Sequence, residues 1–285
     1  MTKILHFSDV HFPITRGLFS LKEMRRPKRL AAFTNYWLRR RECFEEAVQK
    51  WEAFVRFAQA LDVDGVVCTG DMTALGCRAE LHAAHAALQP FLARTDFVLM
   101  PGNHDVYLPG ETAGYFNDIF ASYYEGDFLF AETGRRYPLA KIVNDDVAIV
   151  AVNSVKPNPV IWRSSGLVAP DERVAFEKLC AHPALRARRL LVATHYNVDE
   201  EDGELHGLEH RDSFRAVVEQ QQSAALVHGH IHHEMIYTLP GGTVPVFGAG
   251  SLTYKGRETF HVYDMGETVV CQRGYWTGER YDLEL

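Results

Sequence analysis

In this chain of 285 residues, five short polar motifs each stand where a brief apolar run ends. Asp9-Val10-His11 follows Ile4–Phe7, and Gly70-Asp71 follows Gly65–Cys68. Gly102-Asn103-His104-Asp105 follows Phe97–Met100, and His195 closes the run Leu190–Ala193. Gly229-His230-Ile231-His232 follows Ala225–Val227. Short runs rich in β-branched residues and bounded by Gly, Asn and Asp read as buried strands. Val147–Val152, Val244–Phe247, Phe260–Tyr263 and Thr268–Cys271 extend the pattern, with a hairpin at Met265-Gly266. Helical segments are expected at Phe44–Leu61, Ala79–Leu92, Pro170–Leu179 and Arg211–Gln221. Strands alternating with helices, followed by a run of strands, predict an α/β layered domain with a mixed sheet. In such a sheet the strand exits gather at one edge, where ligands bind.

The residues at those exits suit a pair of divalent cations. The two oxygens of Asp71 can bridge both ions. Imidazoles, carboxylates and one amide oxygen fit manganese, iron or zinc better than calcium. Two ions about 3.5–4 Å apart can share a bridging hydroxide, lower its pKa towards neutrality and bind phosphate oxygens. A nearby imidazolium can then protonate the leaving oxygen. Each motif alone has a bland reading. D-x-H is common, Gly-Asp is an ordinary turn, and G-H-x-H occurs in surface loops. Their joint occurrence, in order and all at strand exits, carries the inference.

Taken together, the motifs resemble those of the calcineurin-like metallophosphoesterase superfamily, over a span from about Asp9 to His232. The resemblance implies a four-layer α/β/β/α sandwich of two mixed sheets. It implies a metal-dependent phosphoric ester hydrolase that uses a metal-bridging hydroxide. Asp9, His11, Asp71 and His232 would hold the first ion. Asp71, Asn103, His195 and His230 would hold the second. His104 would be the general acid, oriented by Asp105. One departure is Asn197, where many members carry a proline two residues after the ligand histidine.

Between about 14 and 42 lies an insert that a strand-to-helix connection does not need. Pro27 suits the first turn of a helix. Leu30, Phe33 and Trp37 then share one helical face, flanked by Arg25, Arg26, Lys28, Arg29, Arg39, Arg40 and Arg41. The stretch from Lys28-Arg29 through Asn35 to Arg39-Arg40 is similar to one in a bacterial subgroup. Some similarly decorated members hydrolyse UDP-2,3-diacylglucosamine. The helix is expected to pack its apolar face on the domain, to cap the site as the wall of a substrate pocket, or to dock on an anionic membrane.

A formal net charge of -7 removes the broad positive field of a nucleic-acid binder. Five scattered cysteines argue for free thiols in a reducing compartment. No apolar run is long enough to span a membrane. The expectation is one domain over 1–285, cytoplasmic or peripheral to the inner membrane face, acting on a phosphate-ester substrate. The rival readings are a soluble cyclic-nucleotide phosphodiesterase and a non-catalytic scaffold, though no ligand is missing as a scaffold would predict. His82 and His85 read as surface helix residues, His206 and His210 as possible borders of the site, and Asp199–Asp202 as a solvated loop. Tyr115, Phe116, Phe120, Tyr123 and Tyr124 read as core.

Overall fold

The computed structural model describes residues 1–13, 23, 25–131, 136–198, 203–221 and 223–284. Its strands are β1 (Lys3–Phe7), β2 (Gly65–Cys68), β3 (Phe97–Leu99), β4 (Leu129–Phe130), β5 (Leu139–Ile142), β6 (Val147–Ala151), β7 (Gly166–Leu167) and β8 (Arg189–Ala193). They continue as β9 (Leu208–Glu209), β10 (Ala225–His228), β11 (Glu234–Thr238), β12 (Pro245–Ala249), β13 (Thr259–Met265), β14 (Val269–Trp276) and β15 (Tyr281–Leu283). A six-stranded sheet has the order β15-β14-β13-β1-β2-β3, and a seven-stranded sheet has the order β11-β12-β10-β8-β6-β5-β4. Within the first, β1, β2 and β3 run parallel, and β13 joins β1 antiparallel. Within the second, β6, β8, β10 and β12 run parallel.

Alternation along the strands sorts side chains into two cores, as a period of two requires. Val147, Ile149 and Ala151 join Leu191, Ala193, Ala225 and Val227 in the core shared with the first sheet. Ala148, Val150, Leu190, Val192 and Leu226 turn the other way. There they meet α4 (Pro170–Cys180) through Phe176 and Leu179, and α5 (Arg211–Gln220) through Phe214 and Val218. The far face of the first sheet is covered by α2 (Ala47–Ala60) and α3 (Arg78–Ala87). Phe7 of β1 packs edge-on against Phe54 at 5.0 Å and lies 5.8 Å from Trp51, both on α2. Each such buried ring contributes roughly 1.5–3 kcal/mol. The layers are therefore helix, sheet, sheet, helix, the sandwich expected from the motifs.

Some boundaries differ from expectation. The segment predicted as one helix over Ala79–Leu92 breaks at Leu88 into α3 and a short turn, Gln89–Leu92, that carries Pro90 in its first turn. The helix predicted from Phe44 starts at Ala47, after a 3₁₀ turn at Arg41–Phe44. Strands β5 and β11 were not anticipated. Lys141 interrupts the apolar run of β5; it is buried, and its Nζ donates to the Asp127 carbonyl at 2.6 Å. Glu234–Thr238 is a part-exposed edge strand and shows no buried run.

Of the basic insert, 14–22 and 24 lie outside the described residues, as does the 199–202 carboxylate run. Its helix, α1 (Pro27–Asn35), begins at Pro27, whose missing N–H costs nothing at that position. The predicted face is buried in part, for Phe33 and Trp37 pack against a cluster of Tyr36, Phe44 and Leu75, but the deepest residues lie elsewhere. Lys28 and Arg29 are buried, Leu30 is 54% exposed, and Phe33 is half-buried. Arg29 Nε donates to the Leu75 carbonyl at 3.2 Å and Nη2 to that of Gly76 at 3.1 Å. Lys28 Nζ donates to the carbonyls of Asn158 at 2.7 Å and Arg163 at 2.9 Å. These distant carbonyls reward burial of the two cations, while of the apolar stripe Leu30 alone is left exposed. A π-helical turn, Tyr36–Arg40, follows α1.

Candidate metal centre

All five motifs leave the carboxyl ends of parallel strands, three from the first sheet and two from the second. Backbone hydrogen bonds then zip the exit loops together. Asp9 N–H donates to the Gly70 carbonyl at 2.9 Å, His11 N–H to Asp71 at 3.0 Å, and Gly229 N–H to His195 at 3.1 Å. The approach is close enough to require glycine at two points. A Cβ on Gly229 would lie 1.9 Å from Ser8 Oγ, and one on Gly102 would lie 2.0 Å from Asp71 Oδ1. Asp9, His11, Asp71, His230 and His232 all adopt positive φ, between 44° and 74°. Non-glycine residues hold that conformation only when the surroundings over-determine it, and such residues cluster at functional sites.

The donors form two groups. Ligand atoms of Asp9, His11, Asp71 and His232 lie within 4.8 Å of one another, as do those of Asp71, His195 and His230. Asn103 belongs with the second group, because its Oδ1 is 2.9 Å from both His195 Nε2 and His230 Nδ1. In the first, His11 Nε2 and His232 Nε2 are 2.9 Å apart, and Asp9 Oδ1 is 3.1 Å from His232 Nε2. Asp71 Oδ2 lies between the groups, 3.7 Å from His11 Nε2 and 3.6 Å from His195 Nε2. Asp71 Oδ1 is engaged elsewhere and accepts the His104 N–H at 2.7 Å. Of the two oxygens expected to bridge, Oδ2 is the one that faces both groups.

Backbone carbonyls set the imidazole tautomers. A carbonyl only accepts, so the nitrogen facing it carries the hydrogen and the other keeps its lone pair. His11 Nδ1 faces the Thr73 carbonyl at 3.0 Å, and His195 Nδ1 faces that of Thr69 at 2.8 Å. His230 is reversed, with Nε2 on the His206 carbonyl at 3.0 Å. In each case the nitrogen left unprotonated points at the donor cluster. Electrostatics agree with a cation site. Burial, followed by the charges of Asp9 and Asp105, pushes the Asp71 carboxyl well above its ordinary value. Burial works the same way on Asp9, but His11 and His232 more than offset it and hold that carboxyl low. Burial also brings His11 down to about 4, which keeps it neutral as a ligand must be. Three buried carboxylates, those of Asp9, Asp71 and Asp105, crowd one site and call for positive charge.

His104 stands at the rim, its ring 4.9 Å from that of His11 and stacked on Tyr107 at 5.5 Å. Its Nδ1 donates to the Ala74 carbonyl at 2.6 Å. Asp105 does not touch that ring among the described residues, which corrects the expectation that it orients His104 directly. Its carboxylate accepts from the N–H groups of Gly102 at 2.9 Å and Thr73 at 3.0 Å, and from Thr73 Oγ1 at 2.9 Å. It ties the second exit loop to the third.

A cavity of about 230 Å³ adjoins the centre at His11. His11 and His104 form its floor, while Lys28, Asn35 and Arg40 of the insert line its roof. The sequence left open whether the insert caps the site, and these residues of it line the cavity beside His11 and His104. Of the bordering histidines, His206 supplies its carbonyl to His230, whereas His210 lines a separate cleft with Arg163 and Glu209. Asn197, in the place of the frequent proline, is fully buried. His82 is exposed, and Tyr115, Phe116, Phe120 and Tyr124 are buried in the inter-layer core, with Tyr123 packed against it.

The profile of the calcineurin-like phosphoesterase family matches residues 2–234, and the chain belongs to that family. It is a metal-dependent phosphoric ester hydrolase. Among solved structures, a dimetal phosphatase from Danio rerio has a TM-score of 0.59 and 14% identity, over 99% of this chain and 98% of that one. A purple acid phosphatase from yellow lupin (Lupinus luteus) seeds has a TM-score of 0.60 and 11% identity, over 99% of this chain. This chain spans about half of the lupin protein, 52%. GAP50, the anchor in the inner membrane complex of Plasmodium, has a TM-score of 0.56 at 10% identity, over 99% of this chain and 88% of that one. No curated protein matches the chain in sequence. Among the described residues, no helix is long and apolar enough to cross a membrane.

Proposed function

We propose that the chain, acting as one domain over 1–285, hydrolyses a phosphodiester, phosphomonoester or pyrophosphate bond at a dinuclear centre. Asp9, His11, Asp71 and His232 hold the first ion, and Asp71, Asn103, His195 and His230 hold the second. The placement of Asp71 Oδ2 between two complete donor groups carries the reading. Manganese, iron or zinc bound there would supply the nucleophile at neutral pH and polarise the phosphoryl oxygens. The protein's own part is positional. Thr69, Thr73 and His206 present their carbonyls and fix which nitrogen each ligand histidine offers. His104, with Nδ1 committed to Ala74, presents Nε2 to the leaving oxygen and can hand over a proton from it only as the imidazolium, a form that its burial disfavours.

The test is a substrate panel with manganese present. It spans bis-p-nitrophenyl phosphate, p-nitrophenyl phosphate, cyclic nucleotides, nucleotide sugars and acylated nucleotide sugars. Chelator-sensitive hydrolysis of at least one class is expected. Inactivity on all, with metal bound, would leave a scaffold on this fold.

One observation favours a second reading, hydrolysis of a lipid-linked nucleotide sugar like UDP-2,3-diacylglucosamine. A groove of about 370 Å³ adjoins the cavity through Lys28 and Ile161, and Pro27, Leu108, Pro109, Pro159, Val160 and Trp162 make it apolar. Ile161 is 50% exposed there and Trp162 69%. That is room for an acyl chain beside a phosphate site. Turnover of the acylated sugar well above the unacylated one would support it, and equal turnover would remove it.

A further inference from the structure

The arginines at 39, 40 and 41 are consecutive in sequence but have different surroundings. Arg39 and Arg41 are exposed and line an outer cleft with Trp37 and Leu38, and Arg41 lies over the Trp37 ring at 4.7 Å. Arg40 is half-buried and lines the cavity with His11 and His104, its guanidinium 5.5 Å from the centre of the Phe44 ring. Among the described residues it has no ion pair, although its charge acts on the buried Asp71 carboxylate. Such a cation costs free energy to hold unless something else pairs with it.

Arg40 stands on the face that the insert turns to the cavity. On α1 the residues facing the cavity are Lys28, Ala31, Ala32 and Asn35, a helical face at i, i+3, i+4 and i+7. The face continues with Tyr36, which also lines the cavity, and Arg40 lies four residues beyond it. Arg40 closes the π turn Tyr36–Arg40, which ends with the Arg41 N–H on the Tyr36 carbonyl. Such turns within helices occur often at functional sites. Ala31 and Ala32 keep the roof clear beneath it.

We propose that Arg40 is a specificity-determining residue that binds the non-bridging oxygens of the substrate's phosphate group in the cavity it lines with His11 and His104. This rests on the phosphoesterase reading above. A guanidinium presents two parallel N–H donors that match a phosphate, and a site neutralised by two cations leaves that fork free for the anion.

The experiment uses manganese-loaded protein and inorganic phosphate as the probe, measured by calorimetry and as a competitive inhibitor of bis-p-nitrophenyl phosphate hydrolysis. Wild type is compared with Arg40→Met, Arg40→Lys and Arg39→Met. Arg40→Met should weaken phosphate binding and lower kcat/KM by about 10–100-fold, the range of hydrogen bonds to a charged group. Arg40→Lys should recover part of that loss, and Arg39→Met should match wild type. Manganese content should stay equal in all four. Phosphate binding by Arg40→Met equal to wild type would overturn the assignment, as would an equal loss in Arg39→Met. Loss of manganese in Arg40→Met counts against it too, since Arg40 would then belong to the support of the ligands. A wild type that binds phosphate but hydrolyses nothing would sink the catalytic reading and leave the role of Arg40 readable from calorimetry.

Discussion

The His104 ring donates its Nδ1 hydrogen to the Ala74 carbonyl at 2.6 Å. That bond leaves Nε2 as the only ring nitrogen able to exchange a proton with substrate. His104→Ala should therefore keep both ions and lose rate, on the order of 10²–10⁴-fold on a substrate with a poor leaving group. On p-nitrophenyl esters the loss should shrink, because p-nitrophenolate leaves without a proton. Parallel kinetics on an alkyl and a nitrophenyl ester decide it, and equal losses on both would exclude proton donation.

The insert inverts the stability expected of its two faces. Arg29, fully buried against the Leu75 and Gly76 carbonyls, anchors it. Arg29→Met strands those acceptors and should cost on the order of 3 kcal/mol in urea unfolding. Leu30→Ser should stay within about 0.5 kcal/mol, since Leu30 is 54% exposed. A Leu30 variant costlier than the Arg29 variant would mean that the apolar stripe is the buried face after all.

Glu80 gives the fold a dependence on pH apart from the ligands. Its Oε2 accepts from the Leu75 and Cys77 N–H groups, and burial pushes its carboxyl up from 4.5 to about 7. Below pH 4.5 both folded and unfolded chains hold the proton, and Glu80 imposes no penalty. Between 4.5 and 7 only the folded chain holds it, so stability is lost as pH rises through that window. The slope is about 1.4 kcal/mol per pH unit. Glu80→Gln should remove it. The difference between wild type and variant, followed by denaturant unfolding across the window, should change with pH, and a flat difference refutes the assignment.

How much of this was legible in the sequence depends on how local each signal is. The strands carrying Asp9, Asp71, Asn103, His195 and His230 could be read because each is a short apolar run ending in a turn. The two donor groups followed from residue type and order. The face of α1 could not be read, because what buries Lys28 and Arg29 is carbonyl oxygen from Leu75, Gly76, Asn158 and Arg163, far away in the chain. Periodicity at Leu30, Phe33 and Trp37 spoke instead. The π turn at Tyr36–Arg40 has no sequence signature of the kind that Pro90 gives to the break at Leu88. The edge strand β11 escaped for a related reason, since it has no buried face to show.

Membrane contact, proposed with the lipid-linked reading, has its own readout. Leu38 is 77% exposed and Trp162 69%, and Arg25, Arg26, Arg39 and Arg41 are exposed as well. Each basic residue near an anionic leaflet contributes about 1 kcal/mol, screened by salt. Wild type should sediment with anionic vesicles at low salt and leave them at high salt, and a variant neutralised at Arg39 and Arg41 should bind less. Wild type remaining in the supernatant at low salt ends the membrane version.

The dinuclear centre itself is tested most directly by elemental analysis of the purified chain beside Asp71→Asn, with activity followed under chelation. Asp71 Oδ2 faces both donor groups, so wild type should approach two transition metal ions per chain. Chelation should abolish its activity, and the Asn variant should lose most of both. Wild type with a metal content near zero and activity indifferent to chelators would contradict the account.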